Sequence, residues 1–226
     1  MNSHDSLTKI LGYRFNDEEL LNTALTHRSV GKYNNERLEY LGDSILNFVI
    51  AERLYHSFDD AREGDLSRLR AWLVNGDRLT EIANELSLGQ YISLGPGELK
   101  TGGHRRASIL EDAMEALIGA VYLDSDFTVC REFILRIYDK KLKNIPLIDD
   151  LKDPKTRLQE YLQARKKPLP DYTVENISGE QHNRQFKVSC TVKGLDEPTF
   201  GIGGSRRKAE QESAKKALSE LKDSRQ

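Results

Sequence analysis

Apolar positions in residues 1–143 recur at helical spacing, and no strand alternation interrupts them. Residues 6–27 read as two short helices. Asn16-Asp17 caps the second, and Leu20, Leu21, Ala24 and Leu25 form its buried stripe. A polar loop leads to Asn35. A helix is then expected from about Glu36 to about His56. Its Tyr40, Leu41, Ile45, Leu46, Phe48, Val49 and Ile50 cover nearly every direction, the pattern of a helix buried all round. Asp59-Asp60 breaks it. Glu63 opens another helix with Leu66, Leu69, Trp72 and Leu73 on one side, and after Asn75-Gly76-Asp77 a further one runs to Leu86. The glycines and proline of Leu94 to Gly103 predict a long surface loop leading into His104-Arg105-Arg106. A second nearly all-apolar helix follows, about Ser108 to Leu123. The last helix of this half, about Phe127 to Lys143, carries Phe133, Ile134, Ile137 and Tyr138 at helical spacing.

The period then changes. Asn144 to Lys152 reads as a linker. Asp153-Pro154 is an N-cap followed by proline in the first turn of a helix that reaches Arg165. Two-residue alternation predicts strands over Asp171 to Ile177, Arg184 to Val192 and Thr199 to Gly203, with turns at 178–183 and 194–198. Ser205 caps a final helix with a stripe of Ala209, Ala214, Ala217, Leu218 and Leu221. The expected architecture is an all-α domain over residues 1–148, a linker at 149–152, and a small α+β domain of order αβββα over 153–226.

Charge sharpens that division. Residues 1–152 hold 19 Lys and Arg against 25 Asp and Glu, a balance of −6; residues 153–226 hold 15 against 11, a balance of +4, and together these give the net −2. An acidic front and a basic back predict modules with different partners. The two cysteines, Cys130 and Cys190, belong to no CxxC or Cys/His cluster, which argues against a zinc site or a disulfide framework and fits a reducing, cytoplasmic setting. No signal-peptide pattern and no membrane-length apolar run is expected.

The two apolar helices carry the candidate chemistry. Glu36, Glu39 and Asp43 share one face of the first; Asp112 and Glu115 share a face of the second, beside Glu111. No Lys or Arg lies between Leu38 and Glu52 to pair with Glu39 and Asp43. Unpaired carboxylates drawn into an apolar setting are costly unless some protonate or a cation joins them. An all-oxygen donor set favours Mg²⁺, Mn²⁺ or Ca²⁺. Held by few carboxylates, such an ion keeps positions open for water and phosphate. Glu36 and Glu63 sit near helix N-termini, where acids are favoured anyway, so a structural and a site role both stay open.

In the basic module, Gly201 to Lys208 places Arg206, Arg207 and Lys208 in the first turn of a helix, where the helix dipole disfavours cations unless an anion is bound. Gln159 and Glu160 on the preceding helix and His182 in the first strand turn are candidates for groove edges or ribose hydroxyls.

Asn35 to Ser44 (NERLEYLGDS) resembles the signature of bacterial ribonuclease III. The likeness extends to Thr26-His27-Arg28-Ser29, to Glu63-Gly64-Asp65, to the GPGELKTGG segment and to the Ile109 to Gly119 helix, and residues 153–222 resemble a double-stranded-RNA-binding domain. The resemblance implies a dimerising all-α endonuclease domain. It implies Mg²⁺-dependent hydrolysis of double-stranded RNA, with Mn²⁺ able to substitute, leaving 5′-phosphate and 3′-hydroxyl ends with short 3′ overhangs, and a role in processing rRNA precursors and other structured transcripts. It places the metal site on Glu39, Asp43, Asp112 and Glu115, with Asp43 and Glu115 catalytic and Glu36 and Glu63 supporting at the cleft between subunits. In the second domain it places RNA contacts on Gln159, Glu160, His182, Ser205, Arg206, Arg207 and Lys208. No small-molecule cofactor and no membrane partner is expected. Two positions depart from the family pattern: Tyr40 stands where phenylalanine is common, and Glu210 where a basic residue is frequent.

Two competing functions have distinct signatures. A catalytically silent RNA-binding regulator has no reason to keep unpaired acids. An enzyme acting on a small phosphorylated molecule leaves the basic module without a role.

Overall fold

The structure, a computed structural model, describes residues 3–179 and 184–223. It divides into two compact units, Met1–Pro146 and Leu147–Gln226.

The first unit is helical. Its elements are α1 (Ser3–Leu11), α2 (Glu18–Ala24), α3 (Glu36–Ser57), α4 (Glu63–Leu73), α5 (Gly76–Glu85), α6 (Pro96–Lys100), α7 (Ala107–Asp124), α8 (Phe127–Ile137) and α9 (Asp139–Lys143). Side-chain caps fix several starts: Asp17 accepts from the Glu19 N–H, Asn75 from the Arg78 N–H and Asp126 from the Val129 N–H. The core is built around α7, which packs against α2, α3, α5 and α8. Its Leu110, Ala113, Met114, Ala116, Leu117, Ile118, Ala120 and Val121 are all fully buried. Each large aliphatic side chain removed from water in this way contributes about 1.5–3 kcal/mol.

The α3–α7 contact is the most extensive helix pairing and the one that makes the site. It is a backbone-to-backbone crossing. A Cβ on Gly42 would run into the Glu115 carbonyl, and one on Gly119 into the Leu38 carbonyl. Two glycines, one per helix, thus let the acidic faces of α3 and α7 approach to a distance that no larger residue permits.

Four sequence expectations need correcting. The helix α3 is not buried all round: Leu38, Leu46, Val49, Ile50 and Leu54 face the core, but Tyr40, Phe48 and Tyr55 are exposed at 79%, 58% and 67%. Leu94 to Gly103 is not purely a loop. Gly95 takes an extended conformation and Pro96 opens the short helix α6, and a 3₁₀ turn follows over Gly103–Arg105. Proline belongs at a helix start, where its missing N–H has no intrahelical partner anyway. The helix expected over 127–143 breaks at Tyr138, whose ring is wholly buried between α8 and α9. The segment expected as a linker contains a short helix, α10 (Ile148–Leu151).

The second unit continues with α11 (Pro154–Gln163), β1 (Asp171–Ser178), β2 (Gln185–Thr191), β3 (Thr199–Gly203) and α12 (Arg206–Asp223). Asp153 caps α11 by accepting from the Thr156 N–H at 3.1 Å. The strands form an antiparallel sheet of order β1-β2-β3, with Tyr172 opposite Cys190 and Val188 opposite Gly201. Its core packs Leu158 and Leu162 of α11 and Ala214, Ala217, Leu218 and Leu221 of α12 against Cys190 and Val192. The small residues of α12 let that helix lie close to the sheet. The fold class is therefore an all-helical domain followed by a small α+β domain with a three-stranded sheet.

Candidate active site

The crossing of α3 and α7 gathers five carboxylates. Glu39 and Asp43 come from α3, and Glu111, Asp112 and Glu115 from α7. Burial raises Glu115 first, and the charges of Asp43, Glu111, Glu39 and Asp112 raise it further, to about 8. Burial also raises Glu39, helped by Asp112 and Glu36. Glu111 rises through burial and through Asp112, Asp77 and Asp43. Burial raises Asp112 too, while His27 and Arg28 oppose the rise. Glu39, Glu111, Asp112 and Glu115 therefore share one electrostatic environment in which the charged form is disfavoured.

Burial is uneven. Glu115 is buried, Glu39 and Asp112 are half-buried, and Asp43 is exposed, which corrects the expectation that Asp43 is drawn inside. The cause is the exposed face of α3: Asp43 sits at its rim, where the Asn47 amide donates to it at 2.7 Å. A cleft of about 410 Å³ opens beside the cluster, and its walls include His27, Arg28, Asn35, Glu36, Glu39, Glu98, Arg106 and Asp112. Arg28 lies 3.7 Å from Glu36, and Arg106 pairs with Glu98 at 2.7 Å. Glu63 is not brought to this cleft. It accepts from the Ser67 hydroxyl at 2.7 Å and lines a separate groove of about 690 Å³ with Phe48, Tyr55, Leu66 and Arg70.

Three residues of the candidate site are not marked by spacing. Glu111 reads only as a charge in the α7 run, because spacing alone does not show that Asp77 and Asp43 face it. His27 and Arg28 precede α3 by a loop and reach the acids only through the tertiary fold. Their signal was present in the Thr26-His27-Arg28-Ser29 string, but nothing in its spacing tied it to Asp112.

Among the described residues, no group of three or more His, Cys, Asp or Glu side chains already stands in a metal-holding arrangement. The donor set nonetheless fits a hydrated hard cation. Its donors are carboxylate oxygens, the charges of its neighbours raise Glu115, and a small divalent ion takes most of its ligands from water and phosphate.

In the second unit Arg206, Arg207 and Lys208 are exposed at the start of α12, where the Lys208 N–H donates to Ser205 Oγ at 3.2 Å. Gln159 and Glu160 are exposed on α11, though Glu160 accepts from Lys152 at 2.8 Å. His182 lies outside the described residues. Glu210 is buried, and it is paired within the unit: Lys155 donates to it at 2.6 Å and Arg206 at 2.8 Å. The departure at this position is thus an internal clamp that holds one of the predicted phosphate-binding cations.

Comparison with known proteins adds independent findings. A family model described as Ribonuclease-III-like matches residues 17–142, and one described as Double-stranded RNA binding motif matches residues 154–221. The chain is 60% identical to Ribonuclease 3 of Vibrio vulnificus over 96% of both chains, and 58% identical to Ribonuclease 3 of Vibrio cholerae over the same shares. Two solved structures of the ribonuclease III nuclease domain from Campylobacter jejuni are each 46% identical. Their TM-scores are 0.61 and 0.60; they cover 65% and 62% of this chain and 100% and 98% of their own. The second was described for structural flexibility in a region involved in dimer formation. With a matching nuclease domain, a matching RNA-binding motif and relatives aligned over nearly its whole length, this chain belongs to the ribonuclease III family of endoribonucleases.

Proposed function

We propose that the chain is a Mg²⁺-dependent endoribonuclease that hydrolyses double-stranded RNA to 5′-phosphate and 3′-hydroxyl products with short 3′ overhangs. It acts in the cytoplasm as a homodimer, processing rRNA precursors and other structured transcripts, with Mn²⁺ able to replace Mg²⁺. Residues 1–148 are the nuclease domain and 153–226 the RNA-binding domain.

The observation that carries this reading is Glu115, a buried glutamate raised to about 8 among four other acids. Glu39, Asp43, Asp112 and Glu115 would hold the cation, and Asp43 and Glu115 bear most directly on the reacting phosphate. The ion, when bound, supplies charge neutralisation and water activation at phosphorus. The protein's own contribution is position: the Gly42–Gly119 crossing fixes the two acidic faces against each other before any ligand arrives. Glu36 supports the cleft from its wall, while Glu63, in the separate groove beside Phe48 and Tyr55, is assigned to the subunit boundary. Dimerisation is supported by the exposed Tyr40, Phe48 and Tyr55 of α3 and by the adjoining apolar groove, since a large aromatic strip in water favours a partner surface. It also accords with the dimer-forming region of the Campylobacter jejuni nuclease domain. The second domain supplies grip. Arg206, Arg207, Lys208 and Ser205 meet phosphates, while Gln159, Glu160 and His182 meet the minor groove, a shape readout largely blind to sequence.

The test is incubation of the purified protein with a long perfect RNA duplex, with and without Mg²⁺. Cleavage is expected only with the ion, and Glu115→Gln is expected to bind the duplex without cutting it. Full cleavage by that variant in Mg²⁺ sinks the metal assignment, and duplex binding without cleavage by the unmodified protein turns the reading to a silent RNA-binding regulator.

A further inference from the structure

His27 is a buried residue of the cleft wall, only 6% exposed, and its backbone is held from both sides. Its N–H donates to the Ser93 carbonyl at 3.0 Å, and the neighbouring Thr26 carbonyl accepts from the Asn35 N–H at 2.9 Å. The ring is held as tightly. Nδ1 lies 2.8 Å from Ser29 Oγ and 3.2 Å from the Ser29 backbone nitrogen. Ser29 Oγ already accepts the Gly95 N–H at 2.9 Å, so its own proton is free for the imidazole. With the Ser29 N–H and O–H both directed at Nδ1, that nitrogen is an acceptor, and the neutral ring must carry its proton on Nε2. Nε2 has no hydrogen bond among the described residues, and the cleft that His27 lines is shared with Asp112.

We propose that His27 is a positioning residue that presents an Nε2–H donor to the Asp112 carboxylate, with its tautomer set by Ser29. The inference rests on the cation reading above, in which Asp112 is one of the holding groups. A carboxylate with one oxygen held by a fixed donor keeps the other aimed at its ligand, as outer-shell partners of metal-binding side chains do. Hydrogen bonds join the Gly95 N–H to Ser29 Oγ and Ser29 to His27, and His27 shares its cleft with Asp112. A ligand that displaces Gly95 therefore loosens the group that sets the His27 tautomer.

The experiment has two arms on the full chain. The first is ¹⁵N NMR of the imidazoles in metal-free protein at about pH 8, above the ordinary histidine range. The expected His27 pattern is a protonated Nε2 and an unprotonated Nδ1. Ser29→Ala keeps the backbone N–H on Nδ1 and removes only the hydroxyl, so the tautomer is expected to persist while the Nδ1 resonance moves with the loss of one donor. A wild-type Nδ1–H ring, or an Nδ1 resonance unmoved by Ser29→Ala, overturns the proposal. The second arm titrates Mn²⁺ by calorimetry. In His27→Gln the amide nitrogen takes the place of Nε2 and most of the affinity is expected to survive. In His27→Asn it takes the place of Nδ1 and the affinity is expected to fall about tenfold or more. Equal behaviour of the two variants, with equal thermal unfolding, overturns the proposal. Where a His27 variant does not fold, the Ser29→Ala spectra decide, because that protein keeps the imidazole. A wild-type protein that binds no Mn²⁺ sinks the cation reading instead, and the tautomer spectra still judge the donor.

Discussion

Glu115 in the helical unit and Glu210 in the α+β unit are glutamates buried to nearly the same degree, 9% and 8% exposed. Their chemistry is opposite. Burial raises Glu115, and four acidic neighbours raise it further, to about 8. Burial raises Glu210 as well, but the hydrogen bonds and charges of Lys155 and Arg206 outweigh it and hold the carboxyl below its ordinary value. Burial alone thus says little about what a carboxylate is for. A buried acid with two cations has its charge accounted for by the fold and acts as a clamp. A buried acid surrounded by acids is incomplete without a proton or a cation, and that incompleteness marks a site.

The largest effect that breaks this contrast is expected from Glu115→Gln. RNA cleavage should fall by about 10³-fold, the scale of losing several kcal/mol of charge stabilisation in the transition state, while duplex binding persists. Gel assays of cleavage and of mobility shift read the two separately. The same variant reads the linkage. Glu115 has a folded pKa above the ordinary value of 4.5, so its contribution to stability is fully present below about 4.5 and is lost as pH rises to about 8. Glu210 is lowered, so its contribution is present above about 4.5 and is lost as pH falls through the folded value. Urea unfolding across pH should therefore show the two units sloping in opposite directions. Glu115→Gln should flatten the slope of the first unit alone, and a slope unchanged by it would mean that other acids carry the linkage.

Gly42→Ala should come next. A methyl group aimed at the Glu115 carbonyl forces α3 and α7 apart, at a cost of about 3 kcal/mol in unfolding free energy. Cleavage should fail even in the folded fraction, because the acidic faces no longer meet. An active, fully stable alanine variant would show that the crossing tolerates a wider spacing. Glu210→Gln should cost about 2 kcal/mol, less than the ~3–5 of a fully enclosed pair, because Arg206 is mostly exposed. It leaves Lys155 and Arg206 without their acid, so the salt dependence of RNA binding should steepen as Arg206 is released toward phosphate. The smallest effect is expected from Tyr138→Phe. The Tyr138 hydroxyl is buried without a hydrogen-bond partner among the described residues, and Glu115 lies near enough to raise it. Its removal should leave the melting temperature unchanged or raise stability by up to about 1 kcal/mol. A loss instead would show that the hydroxyl serves Glu115.

Much of the molecule was legible from residue order. Helical spacing located α3, α4, α5 and α7, the change to two-residue alternation located the sheet, and the cap residues Asp17 and Asp153 marked starts that the structure keeps. The candidate acids were legible because uncompensated carboxylates inside apolar helices are rare for a physical reason. Less was readable where neighbours decide. Spacing made α3 look apolar all round, yet an amphipathic pattern does not say whether a surface is covered by the same chain, and Tyr40, Phe48 and Tyr55 are not. Pro96 reads as part of a loop in the sequence and begins a helix in the fold, since proline punctuates in either sense.

The sequence by itself determined the two units, the order of their elements and the excess of acid on two apolar helices, because period, caps and charge are local properties of the chain. Only the tertiary structure decided that Gly42 and Gly119 meet, that Glu115 is enclosed while Asp43 stays at the rim, that Ser29 bridges Gly95 and His27, and that Glu210 is neutralised by Lys155 and Arg206. Those facts depend on which residues far apart in the chain become neighbours, and a carboxylate's character is set by its neighbours rather than by its place in the chain.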